Sequence, residues 1–246
     1  MKLLTIAITC AALAGCDDDL TSNLPDAGVI DGPPSPYCQT SAQPTDTGTY
    51  TVYLNFDGVT LTQGAEDASQ NTSSVIANAG TIPPLLDGVP GRNTVIVATA
   101  AGVEQVLSPF DVAVVTTRPA TGPYQMIVFG GVGTLLGVPD TPSRYLIDCA
   151  SGPASQIGFV FDKGGSAETM ASLAIAGIGT AASIPSTNVA QSCMCVVGTE
   201  CTGSRTELCT IFQAPTALAS QVICRPDGTT EEDVALAFKQ AYGCRQ

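Results

Sequence analysis

Short apolar runs separated by Gly, Pro and Asp set the pattern of this chain from Tyr50 onwards. Tyr50 to Phe56, YTVYLNF, alternates β-branched and aromatic residues and closes on Asp57-Gly58, which predicts a strand ending in a turn. Asp111 to Thr117 and Tyr124 to Phe129 are compact apolar runs divided by Arg118-Pro119 and Gly122-Pro123, and Ile157 to Phe161 is another. Each predicts a buried strand. Asn93 to Leu107 instead repeats its apolar positions at helical spacing, with Asn93 as the expected N-cap and Ser108-Pro109 as the stop. Asn71 to Gly80 is small and polar and its pattern does not distinguish between elements, and Ile82-Pro83-Pro84 breaks any helix there. Gly164 to Ile184, GGSAETMASLAIAGIGTAASI, predicts a second helix capped by Ser166, carrying Glu168 in its first turn and running to roughly Ile178. Beyond Ala181 the chain is irregular and cysteine-rich. It then ends in a helix expected to be capped at Thr229 or Thr230, with Glu231, Glu232 and Asp233 in its first turn and Gly243 as stop. Strands and helices in this order indicate an α/β layer arrangement.

The N-terminal residues follow another logic. Met1-Lys2 and the apolar run Leu3 to Leu13 have the build of an export signal, and Leu13-Ala14-Gly15-Cys16 resembles the bacterial lipobox. The resemblance implies cleavage after Gly15 and a lipid on Cys16, so residues 1–15 are expected to be a lipoprotein signal peptide and Cys16 a membrane anchor. A plain secretory signal is the alternative. Asp17 to Asp19 resembles the inner-membrane retention signal of some bacteria. Residues 16–48, dense in Asp, Pro, Ser, Thr and Gly, bury too little apolar surface to repay ordering and are expected to be a flexible tether.

Composition narrows the partners. The 22 acids and 9 bases give a formal net charge of -13, which repels nucleic-acid phosphates, and the chain has no tryptophan to build a stacking surface. Ten cysteines in an exported chain imply disulfides. Cys10 leaves with the signal and Cys16 takes lipid, which leaves Cys38, Cys149, Cys193, Cys195, Cys201, Cys209, Cys224 and Cys244 as candidates. A zinc cluster on Cys193, Cys195, Cys201 and Cys209 is the competing reading, without the C-x-x-C pairs such clusters use. Histidine is absent from the whole chain.

That absence bears on the second helix. Metzincin peptidases carry H-E-x-x-H-x-x-G-x-x-H on a helix that follows a strand, with a methionine-bearing turn further on. Ser172 to Ala182 fits this spacing with Gly179 in the glycine's place, and Met194 resembles the Met-turn residue. The segments YLNFDGVTLTQG, SPFDVAVVTTRP and YQMIVFGG also look like the N-terminal subdomain of secreted bacterial metzincin-like peptidases. The resemblance covers about Tyr50 to Val197. It implies a twisted, mostly parallel sheet of about four to five strands with packed helices at residues 49–184, followed by a disulfide-rich subdomain at 185–246. It also implies a sharp turn at the glycine.

Position by position, the metal-ligand places fall on Ser172, Ala176 and Ala182 and the general base on Leu173, none of which can do that work. No catalytic residue, metal site or cofactor is therefore expected. A plain small-residue core helix without such ancestry also accounts for the pattern. A calcium site from Asp57, Asp111, Asp162 and Glu168 lacks the D-x-D-x-D spacing, and turn and capping roles are expected for them. The reading is an envelope-anchored pseudoenzyme that binds a peptide or protein. The alternatives are a structural surface protein without a ligand, and an active hydrolase of other chemistry.

Overall fold

The computed structural model describes residues 38, 48–147, 155–189, 191–195, 207–211, 215–217 and 231–245. The signal, Cys16, Asp17 to Asp19, nearly all of the tether, and Cys149, Cys201 and Cys224 lie outside the described residues.

The order of elements is β1 (Tyr50–Asn55), β2 (Val59–Gln63), β3 (Thr72–Ser73), β4 (Gly80–Ile82), α1 (Arg92–Leu107), β5 (Val112–Val115) and β6 (Gln125–Phe129). A 3₁₀ turn (Gly133–Leu136), β7 (Ser143–Arg144), β8 (Ile157–Val160), α2 (Ala167–Ala181), β9 (Pro215–Ala217), β10 (Glu231–Asp233) and α3 (Val234–Tyr242) follow. The main sheet has five strands in the order β5-β1-β6-β8-β7. The first four are parallel and β7 is antiparallel at one edge. The mixed α/β arrangement and mostly parallel sheet expected from the sequence are both present.

A parallel sheet has to be covered on both faces, because its strands are apolar on both. One face, with Val52, Leu54, Val112, Val114, Ile127 and Phe129, packs against α1, α2 and α3. The other, with Tyr53, Met126, Val128, Ile157 and Phe159, packs on Leu61, Ile76 and Ile82 from the segment between β1 and α1. This second cover was not foreseen. β2 pairs with β3 and β4 in a separate three-stranded sheet. Glu66 holds it in place: Oε1 accepts from Ser73 Oγ at 2.8 Å and Ser74 N at 2.6 Å, and Oε2 accepts from Ile157 N at 2.9 Å.

Three local expectations need correction. Asn93 does not cap α1. The helix starts at Arg92, behind Gly91 at φ 85, and makes no side-chain cap. Arg92 instead reaches back, donating from Nε to Leu85 O at 2.7 Å and pairing with Asp57 at 2.7 Å, which fastens the end of β1 to α1. The acids Glu231 to Asp233 are not the first turn of α3. They form β10, which is antiparallel to β9, and Asp233 is the N-cap, its Oδ1 accepting from Leu236 N at 2.9 Å. Thr229 and Thr230 lie outside the described residues. Helix α2 does not stop near Ile178 but continues to Ala181.

The last residues close the β5 edge. Asp111 N donates to Gly243 O at 3.2 Å, Arg245 N to Pro109 O at 3.1 Å, and the Arg245 guanidinium to Val112 O at 2.6 Å. A disulfide joins Cys244 to Cys38 across a separation of 206 residues. Closing so long a loop removes denatured-state freedom worth up to about 5 kcal/mol in the chain-entropy account. Replacing both cysteines by serine is expected to lower stability by roughly 2–5 kcal/mol, read from the guanidinium unfolding midpoint.

Candidate functional site

Helix α2 is built from its own first turn upward. Ser166 Oγ accepts from Thr169 N at 3.2 Å, and Glu168 sits where the helix dipole favours a carboxylate. Its own backbone N–H, then the Ser166 hydroxyl, hold the Glu168 carboxyl below its usual range. Beyond that turn the helix is almost wholly buried, and Ser172, Ala176 and Gly179 lie on one face. Leu173 and Ala182 are half-buried.

Each position singled out from the sequence has a packing partner. Ser172 is fully buried, and its Oγ accepts from Cys209 N at 3.1 Å. Cys209 is disulfide-bonded to Cys193, and Cys193 N donates to Thr210 O at 3.0 Å, so this cross-linked segment lies over the Ser172 face. Ala176 is buried, and its carbonyl accepts from Thr180 Oγ1 at 2.7 Å. Met194 is fully buried beneath Gly179. A Cβ on Gly179 would stand 2.4 Å from Met194 Sδ and 3.0 Å from the Phe238 ring.

Gly179 therefore serves close approach. The turn expected at it lies four residues later, where Ser183 adopts φ 63. Ser183 N donates to Thr180 O at 2.9 Å and Ile184 N to Gly179 O at 3.0 Å, the paired bonds of a Schellman ending.

Sequence reading missed Tyr145. Its ring fills a slot between β8 and α2 that exists because two glycines line it. A Cβ on Gly177 would meet Tyr145 Cε1 at 1.9 Å, and one on Gly158 would meet Cδ1 at 2.5 Å. The hydroxyl donates to Leu173 O. Tyr242 reaches the same helix from α3 and donates to Ile178 O at 2.7 Å. Burial holds both phenols well above their ordinary range. Two glycines inside regular elements were a readable signal of close approach, but nothing in the sequence said which ring approached.

The four acids considered for calcium have local duties. Asp57 pairs with Arg92, Asp111 Oδ1 accepts from Thr49 N at 3.0 Å, and Asp162 Oδ1 accepts from Gly164 N at 3.1 Å. The competing zinc cluster is excluded, because Cys193, Cys195 and Cys209 are disulfide-bonded and no longer thiolates. The zinc that a metzincin resemblance implies does not fit α2 either. Ser172, Leu173, Ala176 and Ala182 supply one hydroxyl between them, already engaged by Cys209 N, and neither imidazole nor carboxylate.

Fold and cysteines together define the class: a mixed α/β domain with a mostly parallel sheet, stapled by disulfides. No protein-family model, curated protein or solved structure matches the chain.

The contact between Gly179 and Met194 is open to a double-mutant cycle. Gly179→Ala is expected to cost about 1–3 kcal/mol by overpacking, and Met194→Ala about 2–5 kcal/mol by leaving a cavity. The double variant should lose at least about 1 kcal/mol less than the sum, since each change relieves the other. Chemical unfolding of the four proteins measures the coupling.

Proposed function

We propose that this chain is an envelope-anchored lipoprotein whose metzincin-like domain has lost its reactive residues and works by binding an extended peptide or protein segment at the β7 edge of its sheet. Support for the ancestry comes from the order of β8, α2 and a buried methionine beneath the helix, together with the spacing of Ser172, Ala176, Gly179 and Ala182. Support for inactivity comes from the face itself, where the disulfide-bonded segment at Cys209 covers the residue standing in the first ligand's place.

The observation that carries the binding reading is the register of β7. Phe161 N donates to Pro142 O at 2.9 Å, so the next pair, Ser143 and Val160, is the one whose main-chain groups turn away from each other. Ser143 therefore directs its N–H and C=O to the open side of the sheet. Its carbonyl accepts from Thr141 Oγ1 at 2.8 Å, so that among the described residues the N–H is the donor offered to an added strand.

The oxidised domain is expected to contain no stoichiometric zinc and to leave general peptide substrates intact. Zinc bound one to one, or cleavage stopped by a chelator, overturns the reading. Peptides selected from a random library should bind Ser143→Pro about tenfold more weakly, while Ser143→Ala, which removes only the hydroxyl that bonds Tyr145, should bind them as the unaltered chain does. A library that yields no peptide sensitive to Ser143→Pro favours a structural surface protein without a ligand.

The anchor has its own test. Cys16→Ser is expected to abolish metabolic labelling with a fatty acid and to shift the protein from the detergent phase to the aqueous phase. A wild-type protein that takes no label contradicts lipidation.

A further inference from the structure

At the N-terminal rim of the sheet the central strands splay apart. β1 pairs with β5 from Tyr50 and Val112 onwards, but with β6 only from Val52 and Gln125. Pro123, just ahead of that pair, has no amide hydrogen with which to extend the ladder. A half-open cavity of about 250 Å³ lies here among Tyr50, Thr51, Val52, Pro123 and Tyr242. A water molecule takes up only about 30 Å³ in the liquid, so the space has room for side chains. Its lining is mainly apolar and includes no charged residue. Val52 and Tyr242 are buried, whereas Tyr50 is half-buried and Pro123 exposed. The Tyr50 and Tyr242 rings meet edge to face at a centroid distance of 5.4 Å, and Tyr242 contributes its ring alone, since its hydroxyl is engaged by Ile178 O.

The first described residue of the chain is fixed beside this cavity. Cys38 is 3% exposed and is bonded to Cys244, with 5.3 Å between their Cα atoms. Cys244 comes directly after Tyr242 and Gly243, and Cys38 and Tyr242 belong to one buried hydrophobic cluster. Two residues span about 7 Å at full extension, so the Cα atoms of Cys38 and Tyr242 are at most about 12 Å apart. Immediately before Cys38 the sequence reads Pro34-Ser35-Pro36-Tyr37. Such a segment favours the polyproline II form, which advances ~3.1 Å per residue, so its four residues reach about as far. Proline rings held in that form pack on aromatic rings at little cost in conformational entropy. Charge agrees with reach. The four residues are uncharged, like the lining, whereas Asp17 to Asp19, Asp26 and Asp31 make the chain before them acidic.

We propose that this cavity is the docking site for the chain's own residues 34–37, with Pro36 seated against the Tyr50 ring. Docking ties the base of the tether to the sheet rim at a second point beside the Cys38–Cys244 disulfide, and it closes the cavity to other molecules. A proline-rich segment of a partner fits the same lining only by displacing a copy held at an effective concentration in the millimolar range. The site lies between β1 and β6, with β8 separating it from β7, and does not depend on the peptide-binding reading.

The test uses the full oxidised chain labelled with ¹⁵N and ¹³C. A nuclear Overhauser contact is expected between the Pro36 ring protons and the Tyr50 ring. Pro34→Gly combined with Pro36→Gly should abolish it and shift the Tyr50, Thr51 and Gln125 backbone amide resonances, while the control Pro25→Gly leaves them in place. The peptide Pro-Ser-Pro-Tyr, blocked at both ends, should bind the double variant with a Kd on the order of 1 mM. It should bind the unaltered chain about tenfold more weakly, because the tethered copy competes. An unaltered chain without the Overhauser contact, resonances that stay fixed in the double variant, or a peptide that binds neither chain overturns the proposal. So does a peptide that binds both chains equally, an outcome that leaves the cavity open to a partner's segment instead.

Discussion

Helix α2 lies closer to its neighbours than ordinary side chains allow, and the rest of the domain is arranged around that closeness. Gly102 of α1 faces Ala171, where an added Cβ would stand 3.0 Å from the alanine Cβ. Gly177 accommodates the Tyr145 ring, and Gly179 accommodates Met194. A glycine in a helix interior costs about 1 kcal/mol relative to alanine, so α2 is held by what packs on it. The cover is extensive: β6 and β8 beneath, α1 alongside, and Met194 and Phe238 at the C-terminal half. Small residues on α2 let large ones close in on it: Phe238 stands against Gly179 and Tyr242 bonds to Ile178 O, and both are fully buried.

The same closeness explains where the polar atoms go. Side chains from three other parts of the fold donate to the carbonyls of α2: Tyr145 to Leu173, Gln125 to Gly177 and Tyr242 to Ile178. A helical carbonyl already accepts one backbone N–H and has a second lone pair to offer. Only a helix stripped of bulk on this side exposes that second site to a neighbouring donor. The phenols that exploit it lose water, and for that reason they hold their protons so firmly. Covalent closure works at larger range. Cys38–Cys244 holds residue 38 beside the last residues of the fold, and Cys193–Cys209 places a backbone N–H on Ser172.

The four parallel strands and two long helices were legible because each carries its period within a dozen or so residues, whereas the edge strand β7 was not foreseen. Tyr50 to Phe56 alternates, and Ala167 to Ala181 repeats apolar positions behind a serine cap. What escaped was non-local. The β2–β4 cover depends on Glu66 bonding to residues 73, 74 and 157, and no window of sequence contains them all. Glu231 to Asp233 looks like a helix's first turn because acids favour that place, yet a partner at Pro215–Ala217 draws them into a strand. Gly179 shows the limit most sharply. A glycine near a helix end reads equally as a turn or as a place of contact, and Met194 alone decides. Ser183 took the turn in a left-handed conformation that its side chain does not advertise.

The character of the Ser172 face follows from burial more than from any one of its residues taken singly. A metal site needs donor atoms that face a space solvent can reach and that can give up their protons. Here Ser172 and Gly179 lie on a face shut in by Cys209 and Met194, and its single side-chain oxygen answers a backbone N–H that burial would otherwise leave unpaired. An imidazole placed at position 172 would have to displace the Cys209 segment and break that bond, and at 176 it would have to enter a packed interior. The hydroxyl, the disulfide and the methionine thus form one closed arrangement in which each closes space or satisfies polarity for the others.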